Sequence, residues 1–163
     1  MTRRTRARSK IQGRSALRGI LARQRRAGRR VCFTSGCFDL LHIGHLRSLE
    51  EAAALGDVLV VGLNRDKRVR ELKGRGRPVA PERQRAELLA GLACVDYVVL
   101  FGEDTAAQLI RALEPDVVCK GGEYRGTRTP EQEAIESLGG RFVLLRQTPG
   151  VRSSLILQRT KRR

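Results

Sequence analysis

Apolar and polar positions along this chain follow two different rhythms. Five short apolar runs stand at 31–34 (VCFT), 57–63 (DVLVVGL), 95–101 (VDYVVLF), 116–119 (DVVC) and 141–145 (RFVLL). They are rich in valine, too short for helices and unbroken by alternation, as expected of strands buried on both faces. Between them apolar residues recur three and four apart: Leu46, Leu49 and Ala53; Leu88, Leu89 and Leu92; Leu109, Ile110 and Leu113; Ile135 and Leu138. Each set lies on one face of a helix. Leu17, Ile20 and Leu21 mark a further helix that leads into the first strand, with Gly28 near its end. Strands alternating with helices predict βαβ units, and so an α/β three-layer sandwich: a five-stranded parallel sheet with helices on both faces. All five prolines (78, 81, 115, 130, 149) fall between these segments, where proline is tolerated.

The length, 163 residues, suits one domain with one core, and a 40% apolar content can fill it. The formal charge of +16 changes the picture only after it is mapped. Residues 1–30 hold 12 Lys or Arg and no acid, residues 159–163 hold 4 more, and the stretch between balances 17 basic against 17 acidic residues. The body is therefore neutral. The sequence predicts a basic, disordered arm over 1–13, a folded domain over 14–158 and a basic tail over 159–163. Such arms make salt-dependent, non-specific polyanion contacts or simply extend into solvent; a nucleic-acid-binding role is the rival reading from another class. No apolar run reaches the roughly 20 residues that span a bilayer, and the N-terminus has no apolar signal core, so a cytoplasmic protein without a membrane contact is expected. The four cysteines form no CxxC pair and have no histidines at ligand spacing, which predicts reduced thiols and no metal site.

Chemistry concentrates in one place. Both histidines of the chain stand in "SGCFDLLHIGH", where the first strand hands over to a helix. Ligands of open α/β sheets bind at that carboxyl edge. A helix N-terminus there offers free N–H groups and a positive dipole end to a phosphate. Gly36 and Gly44 allow close backbone approach, and His42 and His45 add two imidazoles on the same side.

The stretch "GCFDLLHIGHLRSLEEAAALGDVLVVGLNRD" resembles the nucleotidyltransferase superfamily that carries the HxGH motif, a Rossmann-like fold. Members join a nucleoside triphosphate to a phosphorylated small molecule and release pyrophosphate. HxGH also occurs in class I aminoacyl-tRNA synthetases, but the chain is short for one and has no KMSKS-like segment. The resemblance covers about residues 15–158. "LKGRGRPVAPERQRAELLAGLACVDYVVLF", "DVVCKGGEY" and "TPGVRSSLI" stand in order and narrow it to the stand-alone adenylyltransferases that act on heptose 1-phosphate. The related glycerol-3-phosphate cytidylyltransferases are the alternative.

The resemblance implies ATP and a sugar 1-phosphate as partners, magnesium with the ATP, and a homodimer in many members. It implies that His42, His45 and Lys73 act on the phosphates. The backbone of Ser35, Gly36, Cys37 and Phe38, with Gly44, would line the nucleotide cleft; Ser35 replaces the family's usual asparagine. Asp39 either orients this loop or meets a substrate hydroxyl. Asp66 faces either substrate, and Arg85 matches a nucleotide-binding arginine. Lys120, Gly121, Gly122 and Glu123 contact base, ribose or sugar, or make a simple turn; the family usually has aspartate at 123. Ser153 and Ser154 meet the triphosphate or cap the last helix. No metal ligand is assigned, because an ion held by phosphates and waters needs no carboxylate cage.

Overall fold

All five apolar runs become strands of one parallel sheet in the computed structural model, which describes residues 7–160. Helix α1 (Arg14–Arg26) leads into β1 (Val31–Gly36), followed by α2 (Ile43–Ala53), β2 (Val58–Asn64), α3 (Asp66–Lys73), α4 (Glu82–Gly91) and β3 (Tyr97–Phe101). The chain continues through α5 (Ala107–Leu113), β4 (Val117–Gly121), a 3-10 turn (Gly122–Tyr124), α6 (Pro130–Ser137), β5 (Arg141–Leu145) and α7 (Ser153–Thr160). The strand order is β3-β2-β1-β4-β5. The chain winds outward from β1 to β3, then returns to the other side of β1 for β4 and β5. At such a reversal, beyond the carboxyl ends of β1 and β4, ligands of open α/β sheets bind.

Alternation along the strands divides the core in two. Val31 and Phe33 of β1, with Val58 and Val60 of β2, face Leu17 and Leu21 of α1, Leu109, Ile110 and Leu113 of α5, and Ala134 and Ile135 of α6. Cys32, Leu59, Val61 and Leu63 face the opposite way, onto Leu49 and Ala52 of α2 and Ala86, Leu89 and Ala90 of α4. The Rossmann-like sandwich is thus present with helices on both faces. Two residues depart from the expected pattern. Periodicity places Leu88 and Leu138 on apolar faces, yet they are 56% and 42% exposed. Helix α4 turns Arg85, Ala86, Leu89 and Ala90 inward instead, and Leu138 lies just past the end of α6. Helix α3 has no periodic signature because Val69 alone is buried.

The predicted boundary of the N-terminal arm is corrected. Residues 1–6 and 161–163 lie outside the described residues, but the chain at 10–12 runs beside the edge strand β3. The Val98 N–H donates to Lys10 O and the Gln12 N–H donates to Val98 O, both at 2.9 Å, and Ile11 pairs with Val98 in parallel. Lys10 Nζ donates to the carbonyls of Val95 at 2.7 Å and Leu92 at 3.3 Å. An edge strand carries unpaired backbone groups, and this segment satisfies part of them. Composition hides the contact, because its hydrogen bonds are mostly backbone ones. No helix of the described residues is long and apolar enough to cross a membrane.

Lys10→Met is expected to lower the unfolding free energy by about 1–2 kcal/mol, read as an earlier urea midpoint at unchanged slope. A midpoint identical to the wild type would show that the segment contributes nothing to stability.

Candidate active site

The site begins with a strained turn. After β1, Phe38 takes a left-handed backbone conformation, φ 43°, a region disfavoured for a bulky side chain. The strain brings its ring over Gly36, where a Cβ would come within 3.1 Å of the ring, and to 5.3 Å from the His45 ring. His42 is the N-cap of α2: its backbone is extended, and its Nδ1 accepts a long 3.4 Å hydrogen bond from the His45 N–H. This folds the two imidazoles into a stack, 3.8 Å between centroids and 17° from parallel. Gly44 makes room for it, since a Cβ there would stand 3.0 Å from His42 Nδ1.

Stacked imidazoles beside a lysine resist protonation. Burial, then Lys73, lowers His42 below 6.5. Burial, then His42 and Lys73, pushes His45 down to about 4, with the Leu40 backbone opposing them. At neutral pH His45 is uncharged. Its Nδ1 is buried without a hydrogen-bond partner among the described residues, an arrangement that costs free energy until an acceptor or donor arrives. Lys73 ends α3, exposed, and Gly74 and Gly76 beyond it both have positive φ. Its charge disfavours protonation of both imidazoles.

Behind this surface lies a network of charges. Arg85, expected on the nucleotide, is buried beneath the site at 0% exposure. Its guanidinium donates to Cys37 O at 2.6 Å, Asn64 O at 3.0 Å and Ala80 O at 2.9 Å, and to Asp66 Oδ1 at 2.6 Å. Asp66 is thereby an ion-pair partner of Arg85. Asp39 resolves toward its loop-orienting alternative: its side chain is fully buried, Oδ1 accepts from the Val79 N–H at 2.6 Å, and Oδ2 accepts from Arg77 Nε. Asn64, at the end of β2, donates to Cys37 Sγ at 3.5 Å. Asn64 and Arg77 were not singled out from the sequence. The available signal was position: one ends a strand at the ligand edge, and the other shares the glycine-flanked loop of Lys73.

The remaining residues come from β4, β5 and α7. Lys120 is held by Glu131 at 3.2 Å and lies over the Tyr124 ring, rather than facing an open cleft. Burial pushes Glu131 up, but Lys120 and the Ala106 N–H outweigh it and hold the carboxyl below its ordinary range. Gly122 sits against β5, where a Cβ would meet Leu145 O at 2.9 Å. Glu123 accepts from Gln147 Nε2 at 3.2 Å, and the next residue, Thr148, approaches Gly44. Ser153 Oγ donates to Leu40 O at 3.2 Å, which ties the start of α7 to the histidine loop, whereas Ser154 is exposed. Ser35 and Gly36 end β1 at the crevice.

A parallel sheet with a switch-point crevice, a helix N-terminus and two neutral imidazoles there defines a phosphate-handling enzyme of the nucleotidyltransferase type. Residues 33–159 match the family model described as cytidylyltransferase-like. The chain is 48% identical over 151 residues, 93% of its length, to the bifunctional protein HldE of Syntrophotalea carbinolica, and 46% identical over 95% of its length to that of Pelobacter propionicus. It spans 31–32% of the length of these curated relatives. The solved lipopolysaccharide core biosynthesis protein of Thermoplasma volcanium is 30% identical at a TM-score of 0.61, over 74% of this chain and 98% of that one. A pantoate–beta-alanine ligase of Francisella tularensis, 13% identical at 0.58 over 93% of this chain and 76% of that one, shares the fold. The chain belongs to the cytidylyltransferase-like family and is a nucleotidyltransferase.

The two imidazoles are expected to titrate separately by NMR in the free protein, His45 with a midpoint of about 4 and His42 below 6.5. Because the folded values lie below those of the unfolded chain, stability falls as pH drops from 6.5 toward 4, where the unfolded chain binds the proton first. Added ATP should raise the His45 midpoint, since a phosphate stabilises imidazolium. Ordinary midpoints for both rings would refute the stacked, buried arrangement.

Proposed function

We propose that this chain transfers the adenylyl group of ATP to a sugar 1-phosphate, D-glycero-D-manno-heptose 1-phosphate, giving ADP-heptose and pyrophosphate. The stacked His42–His45 pair at the N-terminus of α2 carries the reading. The relatives' name marks them as bifunctional, and this chain matches one stretch of their length, so one of two activities is what it would bring. An oxygen of the sugar phosphate forms a bond to the α-phosphorus as the bond to the bridging oxygen of pyrophosphate breaks. No covalent intermediate on the protein is needed; catalysis is positioning and stabilisation of charge on phosphoryl oxygens. Neutral imidazoles at 42 and 45 and the cation at 73 would meet those oxygens, with the backbone of Ser35–Phe38 along the nucleotide.

Magnesium would be carried by the triphosphate, whose charge it neutralises when bound. The described residues hold no group of three His, Cys, Asp or Glu able to form a cage. The carboxylates of Asp39 and Asp66 are already engaged by Arg77 and Arg85.

The test is pyrophosphate release from ATP or CTP with a panel of sugar 1-phosphates and glycerol 3-phosphate. Release with ATP and the heptose phosphate is the expected result; release with CTP and glycerol 3-phosphate alone would replace the heptose reading and keep the chemistry. His42→Ala and His45→Ala should each lower kcat by about 10²–10³-fold, with native circular dichroism. Full activity in either variant would remove the imidazoles from the mechanism.

A further inference from the structure

Arg77 is a half-satisfied cation on the loop that follows α3. Its side chain is 13% exposed, and Nε donates to the buried carboxylate of Asp39. Nη2 is buried and donates to nothing among the described residues. Asp39 uses its other oxygen on the backbone N–H groups of Val79 at 2.6 Å and Ala80 at 3.4 Å. One carboxylate therefore locks both the loop and the arginine that the loop carries. Three cations around the site are already committed: Arg85 to four protein acceptors, Arg65 to Glu82 at 2.8 Å, and Lys120 to Glu131 at 3.2 Å, while Arg75 of the same loop is exposed and lacks the buried carboxylate that orients Arg77. Lys73, four residues before Arg77, is the cation assigned to the nucleotide phosphates in the adenylyl-transfer reading above.

A sugar phosphate must approach a triphosphate that repels it, and that approach requires a cation on the acceptor side. A guanidinium presents parallel N–H donors that match a phosphate, which an ammonium does not. We propose that Arg77 binds the phosphate of the acceptor substrate, with Asp39 as its positioning residue. The assignment rests on the adenylyl-transfer reading above and names the group that holds its second substrate. The side chain keeps 13% exposure, and Nη2 has no protein acceptor among the described residues to give up when that phosphate binds; segment 73–80 thus supplies a ligand to each substrate, Lys73 where α3 ends and Arg77 from the anchored side of the loop.

Steady-state kinetics with varied ATP and varied heptose 1-phosphate test this. Arg77→Lys, which keeps the charge and loses the fork, should raise the KM for the sugar phosphate about tenfold; Arg77→Gln should raise it about a hundredfold. In both, the KM for ATP should stay within about twofold, because the nucleotide phosphates use other donors. Asp39→Asn should raise the same KM by less than Arg77→Gln. A rise in the KM for ATP instead, or no change in either, overturns the assignment while leaving adenylyl transfer intact. If the wild type transfers nothing to any sugar phosphate, the functional reading fails, and calorimetric titration with inorganic phosphate decides Arg77. Arg83 on α4 is exposed, so binding by the wild type and by Arg83→Gln, but not by Arg77→Gln, supports it. Equal heats in all three proteins overturn it.

Discussion

The guanidinium of Arg85 is the point on which the site's architecture depends. It is fully buried, and it joins the carbonyl after β1, the carbonyl at the end of β2, the turn before its own helix and the first carboxylate of α3. Burying such a charge costs several kcal/mol unless its donors are matched. Four acceptors on separate segments offset that cost only when all four segments are in place. The ion is therefore a poor source of stability and a strict condition on geometry. It fixes where Cys37 stands, and hence where the next five residues can lead.

Those residues reach the imidazole pair under constraint from several sides. Phe38 accepts a disfavoured backbone conformation, Asp39 is held by the 77–80 turn, the carbonyl of Leu40 is held by Ser153, and Gly44 leaves room for the ring of His42. The outcome is two rings stacked on one another in partly desolvated surroundings, beside a lysine. Each contact is modest, but together they leave the rings one arrangement. A site ordered before substrate arrives avoids ordering it during the reaction, which is how positioning contributes to rate.

Loop 74–80 complements this rigidity. It leaves α3 through two glycines at positive φ and returns to the body at Val79 and Ala80. The exposed half follows Lys73 and carries Arg75, and the anchored half carries Arg77. Glycine permits the backbone turns at 74 and 76, whereas the Asp39 carboxylate prevents comparable freedom after 77. The segment thus offers charge on both sides of a fixed point.

Much of this was legible along the chain. Valine-rich runs marked the five strands because a strand buried on both faces needs apolar residues at every position. Helix spacing marked α1, α2, α5 and α6, and "HIGH" at the end of the first strand marked the phosphate edge. Helix α3 escaped because Val69 is its one buried position, and the pairing at residues 10–12 escaped because backbone hydrogen bonds leave no trace in side-chain pattern. The charged residues were legible as types and not as roles. Arg85 reads from sequence as a nucleotide-binding arginine, Lys120 as a contact to base, ribose or sugar, and Arg77 as one of several loop cations.

By itself, then, the sequence determined the layered parallel sheet, the edge at which chemistry sits and the pair of imidazoles that marks it, since periodicity and motif are local and survive in one dimension. Only the tertiary structure decided which charges face the crevice and which lie beneath it. That choice is made between groups as far apart in the chain as Cys37 and Arg85, Asp39 and Arg77, or Leu40 and Ser153. A charge's role follows from its acceptors and its exposure to water, and both are properties of the folded packing.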